Sequence, residues 1–514
     1  MRMIIKVLKR AGNVLLVLLS FFLFYITFVF GLRWIIFISF LPLFISLKQS
    51  KTKKEAFCLG LFFGVMYFSL ALFWMTNISW ILFAASVVLE AVYIGVFSLG
   101  LAFVCRGERR AFFYLFFVPG LWVLLEVLRS SGFLGFPVGL AGYALTEILP
   151  MAQIASLLGV YGLSFLVIFI NGLLFYVLQK NVSNKKKVRW LLFGIIIILS
   201  SSLWGQKELG KSCQKNQIKV SIIQPNISSK QKWDLSFIDA IITKHEDLSR
   251  SVLVDHPDLI IWPETAVPCF LFHEKRKDIL DRIKTFAAEI NVPMLTGSQD
   301  FKLDDKGGKH AYNIAVLFMP DSGAVEQYAK MKLVPFMEKA PFRFLIPFLR
   351  KMGLPSIFEP GGKHTIFKVG DVHFSSIICF EGLFPSLVRQ FVKKGAEVVI
   401  NITNDAPSLG KMKFYYTINA QMLKVRAIEN RRSFVRAAND GVSSVIDPFG
   451  RALKAIEPFE EGALTVFVPL NQQSSYYTRN PHLMVSLSFL FFSLGLGLKS
   501  LIKIRIINKQ FKHV

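Results

Sequence analysis

At 514 residues the chain is long enough for more than one domain, and with 53% hydrophobic residues and 51 phenylalanines it is too apolar for an ordinary water-soluble protein. The formal charge of +26 would suit a nucleic-acid binder, but Lys and Arg fall in short clusters between long apolar runs, which excludes that class and fits the flanks of membrane spans. Cys58, Cys105, Cys213, Cys269 and Cys379 form no CxxC and no Cys/His metal spacing, so neither a zinc site nor a disulfide framework is expected, a Cys213–Cys269 bridge included.

In chain order, runs suited to the roughly twenty apolar residues of a bilayer span occur near residues 14–30, 34–47, 56–75, 80–104, 111–128, 151–178, 188–204 and 482–500. The first is not expected to be a cleaved signal, because no small-residue cleavage site follows and a second apolar run begins at once. The run at 34–47 is short and contains Pro42. The basic clusters MRMIIKVLKR, KQSKTKKE, RGERR, KNVSNKKKVR and KSLIKIRIINKQFKHV alternate with short loops carrying only Arg33 and Arg129. Positive charge resists translocation, so eight spans place all the basic clusters on the cytoplasmic side, with both termini. The expected division is a seven-span bundle over 1–205, an extracytoplasmic domain over 206–481, and a last span with a basic tail over 482–514.

The segment SSGFLGFPVGLAGYALTEILP, residues 130–150, is glycine-rich and nearly uncharged. It reads either as an interfacial or re-entrant segment with Tyr143 and several Phe at headgroup depth, or as a plain connection.

Past the seventh span the pattern changes to short β-rich runs: 218–224, 258–262, 292–298, 312–318, 373–379, 396–403, 433–438 and 442–447. Helical periods intervene at 236–253, 275–290, 384–394 and 414–430. The expected fold is a polytopic α-helical membrane bundle plus an α/β domain with a largely buried sheet.

In such domains reactive groups gather where strands end. Cys379 follows HFSSII, Glu264 follows DLIIWP, and Lys330 follows GAVEQYA. A lone cysteine is ordinarily a small core residue. A helix beginning near Gly382 to Pro385 would instead put Cys379 at its N-terminus, where a thiolate is favoured. Glu264 reads either as a first-turn helix acid or as a general base for a thiol. Lys330 reads either as a solvated strand-end lysine or as a fixed cation over a reacting carbonyl. Glu338 could hold that lysine or be a surface acid, and Glu381 could be an ordinary helix-start acid.

Together the motifs WPETA, YAKMKLVPFMEK, ICFEGLFP, NITNDA and RAIENRRSFVRAANDG resemble the carbon–nitrogen hydrolase (nitrilase) superfamily over roughly residues 218–470. The resemblance implies an αββα sandwich with Glu264 as general base, Lys330 as oxyanion stabiliser and Cys379 as nucleophile. It implies supporting roles for Glu338, Glu381 and the Phe380 position, and a place for Trp233 on a loop near a lipid entrance. With spans before and after the domain, it resembles the superfamily's membrane-embedded branch. The implied reaction takes an acyl chain from a phospholipid, typically phosphatidylethanolamine, onto Cys379 as a thioester. The chain then passes to the α-amine of an S-diacylglyceryl N-terminal cysteine on a lipoprotein. No cofactor or metal is expected. The sequence departs from the pattern at Phe380, where many members have tyrosine, at PSLG (407–410) after NITNDA, and at Asn419, where histidine is common. Competing readings are a membrane-tethered amidase, for which one span would suffice, and a transporter using Glu90 and Glu126 within its spans.

Overall fold

The computed structural model describes residues 2–105, 110–132, 134–211, 216–303, 305, 307–321, 325–340, 358–405 and 413–511. Cys213 and residues 407–410 lie outside these, as does the side chain of Asn419. The chain divides into two compact units. One comprises Met1–Phe73, Phe83–Glu208 and Asn480–Val514, and the other Trp74–Leu82 with Leu209–Arg479.

Among the described residues six helices are long and apolar enough to cross a bilayer: Ala11–Val29, Lys53–Asn77, Trp80–Cys105, Ala155–Val177, Asn184–Leu209 and Leu483–Leu501. The other two of the eight expected spans take different forms. Residues 111–129 are helical throughout but pass through a π turn at Phe113–Phe117. The run at 34–47 breaks into a 3-10 turn at Arg33–Ile35 and short helices at Ile36–Ser39 and Leu41–Gln49. Pro42 occupies the first turn of the last piece, where its missing N–H does no harm. The side chain of Asn171 makes the break tolerable: its Oδ1 accepts from the Phe40 N–H at 3.0 Å and its Nδ2 donates to the Ile36 carbonyl at 2.9 Å.

Polar groups buried in this unit hold the 130–150 segment. Arg129 donates to the carbonyls of Phe136, Val138 and Gly139 at 2.8–3.1 Å and pairs with Glu90 at 3.2 Å. Glu126 accepts from Trp122 Nε1 and from the Ala141 N–H, both at 2.8 Å. Leu140–Leu145 is buried among the helices as a result, so this stretch is not a surface connection. Glu90 and Glu126 are thus partners of a fixed loop.

The second unit contains two six-stranded sheets. The first has the order β12-β1-β2-β3-β4-β5, from β1 (Gln217–Gln224), β2 (Leu259–Ile261), β3 (Met294–Leu303), β4 (Lys309–Phe318), β5 (Val325–Ala329) and β12 (Gly462–Pro469). The second has the order β11-β10-β9-β8-β7-β6, from β6 (Phe367–Val369), β7 (Val372–Ile378), β8 (Val398–Thr403), β9 (Ser433–Ala438), β10 (Ser443–Ile446) and β11 (Ala452–Ile456). β1, β2 and β3 are parallel, as are β7, β8 and β9, and the outer pairings are antiparallel. Each expected strand is present. β5, β6, β11 and β12 are additional, and they lie at or near the sheet edges, where the apolar pattern is short or half exposed.

Helices Ile238–Ser251 and Lys277–Ile290 cover one face of the first sheet, through Ile238, Ile242, Ile279, Ile283 and Phe286 against Ile223, Ile260, Met294 and Val316. Helices Pro385–Lys393 and Lys413–Asn430 accompany the second sheet, whose β9 packs against β1, so the layers run helix, sheet, sheet, helix. Fully buried Trp262 anchors the first helical layer, with its Nε1 donating to Ser249 Oγ at 2.9 Å and its ring 4.8 Å from that of His245.

His245 is itself fully buried, and burial lowers its pKa from 6.5 to about 3, so it folds neutral. An unfolded chain takes up this proton near 6.5, whereas the native state refuses it. Stability contributed here is complete above 6.5 and is lost as pH falls toward 3. We expect the thermal midpoint of the detergent-solubilised chain to fall on acidification through that window, and His245→Phe to flatten the dependence. An unchanged slope in the variant would remove this histidine from the account.

Candidate active site

The ends of β2, β5, β7 and β8 bring together the residues singled out in the sequence. Glu264 lies three residues past β2, in a turn, so it is not the first-turn acid of a helix. Its Oε1 accepts from Asn313 Nδ2 at 2.8 Å and Lys330 Nζ at 3.4 Å, and its Oε2 accepts from the Asn404 N–H, past β8, at 2.8 Å. The carboxylate is therefore held from both sheets. Gly297 on β3 permits this approach: a Cβ there would stand 2.6 Å from the Glu264 Cα. The sequence carried that signal as a glycine inside a strand pattern.

Lys330 follows β5 and is 1% exposed, which overturns the solvated reading. Its Nζ lies 2.8 Å from Glu338 Oε1. Burial by itself would lower its pKa, but Glu338 and Glu264 outweigh that and raise it, so the ammonium is permanent. Glu338 is fixed in turn by the Val334 N–H at 2.8 Å and by Asn313 Nδ2 at 3.2 Å, so it is not a surface acid. Gly361 backs the same segment, its N–H donating to the Lys330 carbonyl at 2.8 Å, where a Cβ would meet the Ala329 oxygen at 2.2 Å.

Cys379 is partly accessible and leaves β7 with φ 51°, a left-handed conformation that costs a non-glycine residue on the order of 1 kcal/mol or more. The five residues Cys379–Leu383 form a 3-10 turn, and the next α-helix starts only at Pro385. That start falls within the expected window, but burial outweighs the depression of the thiol expected at a helix N-terminus. Burial, then the charge of Glu264, push its pKa up to about 12, with Lys330 opposing and Asp405 adding. At rest the sulfur is a thiol, so its use as a nucleophile would require a base.

Glu381 is fully buried. One oxygen accepts from Tyr328 Oη and the Met331 N–H, each at 2.7 Å, and from the Lys332 N–H at 3.0 Å. The other accepts from the Ile378 N–H at 2.8 Å. It thereby ties the segment after Lys330 to the residue before Cys379. Phe380 is also buried, edge-on to Phe384 with ring centroids 5.0 Å apart. Trp233 is half exposed, but its neighbour Lys232 is buried and donates to the Glu264 carbonyl at 3.0 Å. Burial lowers the Lys232 pKa to about 8, with Glu264 and Asp440 opposing.

Sequence reasoning passed over Asn313, Asn401, Thr403, Asp405 and Arg436. Asn401 Nδ2 donates to the carbonyls of Cys379 at 3.2 Å and Ile377 at 3.4 Å, while its Oδ1 accepts from Arg436 at 3.2 Å. Arg436 pairs with Asp405, a buried couple. Its presence inside a strand pattern, flanked by apolar residues in SFVRAA, was the available signal. Among the described residues no cluster of His, Cys, Asp and Glu has the form of a metal site. Chemically, a thiol beside a fixed carboxylate and a permanent ammonium suits attack on an acyl carbonyl with the oxyanion stabilised as it forms.

Comparison with known proteins agrees with both halves of the chain. The family profile described as the apolipoprotein N-acyltransferase N-terminal domain matches residues 15–173, and that described as carbon-nitrogen hydrolase matches residues 219–478. A protein of Geobacter metallireducens called apolipoprotein N-acyltransferase is 33% identical over 463 residues, 87% of this chain and 88% of its own length. One of the same name from Chlorobaculum tepidum is 29% identical over 491 residues, 88% and 89% of the two chains. Among solved structures, an amidase of the nitrilase superfamily from Nesterenkonia is 20% identical with a TM-score of 0.39, covering 51% of this chain and 93% of its own, a likeness too low to carry weight. A relative at that identity over most of both chains, joined to a profile match for each half, makes the chain a member of the apolipoprotein N-acyltransferase family, with its second unit in the carbon–nitrogen hydrolase superfamily.

Proposed function

We propose that the chain transfers an acyl chain from a phospholipid, phosphatidylethanolamine foremost, to the N-terminal α-amine of the S-diacylglyceryl cysteine of apolipoproteins. Cys379 carries the chain as a thioester between the two steps. The supporting observation is the cluster itself: Glu264, Lys330 and Cys379 arrive from three strand ends, with the cation 3.4 Å from one and acting electrostatically on the other.

Glu264 takes the thiol proton as sulfur attacks the ester carbonyl, and Lys330 stabilises the oxyanion. The ester C–O bond breaks and the leaving lysophospholipid alkoxide receives the proton from Glu264. A neutral amine then attacks the thioester, loses a proton to Glu264, and displaces Cys379, which recovers it. Glu338 keeps Lys330 in place, and Trp233 contributes to the acyl-donor side. Thioester chemistry suits two lipid substrates that bind in turn, since it preserves acyl-transfer potential between them. Each tail costs about 0.8 kcal/mol per CH₂ to expose to water, which is the reason a membrane unit belongs to this reaction.

Charge asymmetry around the apolar helices supports a cytoplasmic (inner) membrane protein of a bacterium, with both termini and the basic loops cytoplasmic and residues 206–481 extracytoplasmic. On that reading the chain divides into a bundle over 1–205, the catalytic domain, and a final span with its tail over 482–514.

Two experiments bear on this reading. Exposure to phospholipid should add an acyl mass to the intact protein, released by hydroxylamine and absent from Cys379→Ala, and transfer should yield lysophospholipid and triacylated lipoprotein. An adduct retained by the Ala variant sinks the assignment. Glu381→Gln replaces one of the two accepting oxygens that join the Lys330 and Cys379 segments with a donor, so adduct formation should drop about tenfold or more with all three reacting residues present. Full activity in that variant would show that the tie is dispensable.

A further inference from the structure

Asn404 is the first residue past β8, which runs parallel to β7 with Ile402 opposite Ile378, so it leaves its strand one residue beyond the level of Cys379. Its N–H donates to Glu264 Oε2 at 2.8 Å. Bond lengths keep its own Oδ1 within about 5 Å of that nitrogen, so the side chain belongs to the same site. The residue is 8% exposed, and Oδ1 is buried with no hydrogen-bond partner. Asn313 repeats the pattern at the other carboxylate oxygen. Its Nδ2 donates to Glu264 Oε1 at 2.8 Å and to Glu338 Oε1 at 3.2 Å, while its Oδ1 is buried and unpartnered. Each oxygen of the Glu264 carboxylate thus has beside it an amide oxygen that receives nothing.

A buried oxygen without a donor is costly, and in a reactive site a substrate can supply the missing hydrogen. The two proposed substrates differ in what they bring to the reacting atoms. An ester brings no hydrogen there, and Cys379 has a single S–H for Glu264 to take. A neutral primary amine brings two N–H bonds. One proton goes to Glu264, and the other stays on nitrogen into the amide product, so it needs a receiving oxygen throughout the step. Charge decides which asparagine faces it. Lys330 lies 3.4 Å from Glu264 Oε1, and the attacking nitrogen turns positive as its bond forms. Repulsion from the ammonium therefore directs that nitrogen toward Oε2 and Asn404.

We propose that Asn404 binds the acceptor amine: its Oδ1 receives the N–H that is retained and so turns the nitrogen lone pair toward the thioester carbon. In this step the N–C bond forms and the C–S bond breaks, with its electron pair going to sulfur. The other N–H proton passes through Glu264 to that sulfur, and no further reactant is consumed. The first half-reaction has no second hydrogen to place, so the Asn404 side chain acts on transfer and not on acylation. The inference rests on the acyl-transfer reading given above, with Cys379 as the acyl carrier.

The test uses the full-length protein in detergent, phosphatidylethanolamine as donor and an S-diacylglyceryl cysteinyl peptide as acceptor, at a pH of about 8, where roughly half of an α-amine is neutral. Intact mass follows the acyl adduct as it forms without acceptor and then as added peptide discharges it. Asn404→Leu keeps the volume and removes the amide. We expect discharge in this variant to slow about tenfold relative to adduct formation. Asn404→Asp keeps a receiving oxygen, so the ratio of discharge to formation should stay at or above that of the parent. A ratio in the Leu variant no more than twofold below the parent's overturns the proposal, whether both steps slow or neither does. An equal fall in the Asp variant also overturns it, because loss of the oxygen could not then be the cause. If the Leu variant does not fold, Asn404→Ala stands in with the same readings. Absence of the adduct from the parent protein, or its persistence in Cys379→Ala, refutes the acyl-carrier reading itself, an outcome distinct from any value of the ratio.

Discussion

A buried ammonium cannot persist without anions, and Lys330 obtains two. That requirement draws several elements to one point. Glu264 comes from the end of β2 and Glu338 from beyond β5, and Asn313 of β4 donates to both carboxylates. The Asn404 N–H, past β8 in the other sheet, completes the environment of Glu264. Neutralising one cation thus joins the ends of strands from both sheets, and the remaining geometry of the site follows from it.

Desolvation raises the thiol of Cys379, so the nucleophile of the proposed reaction is not pre-ionised. Charge develops only when a base and an electrophile are both present, and a permanent ammonium meets it without reorganising. Positioning has to be strict for that to work. Glu381 supplies it from below, through four hydrogen bonds that span the Lys330 and Cys379 segments, and Asn401 supplies it from the side. The left-handed backbone at Cys379 is held against its intrinsic preference by these contacts.

In the helical unit buried polarity serves a different purpose. Asn171 satisfies the break at Phe40, and Arg129 with Glu126 satisfies the carbonyls and amide of a non-helical stretch. Irregular backbone within an apolar unit needs such partners, because there is no water to supply them. A carboxylate inside a span is conspicuous in a sequence whether it serves transport or architecture, and Glu90 and Glu126 prove to be the latter by their partners.

Local pattern determined much of this protein. Apolar run length marked the spans, period-2 and period-3.6 segments marked the central strands and their helices, and strand ends marked Glu264, Lys330 and Cys379. Those signals depend only on neighbours along the chain. The edge strands β11 and β12 escaped because their partial exposure weakens the alternation, and the 34–47 run was misjudged because Asn171, more than a hundred residues away, completes its hydrogen bonding. What only tertiary structure decided was electrostatic: whether Lys330 is solvated or enclosed, and whether Cys379 is a thiolate or a thiol. Each depends on charges and dipoles brought together from distant strands, and burial alters their strength by an amount that sequence spacing does not encode.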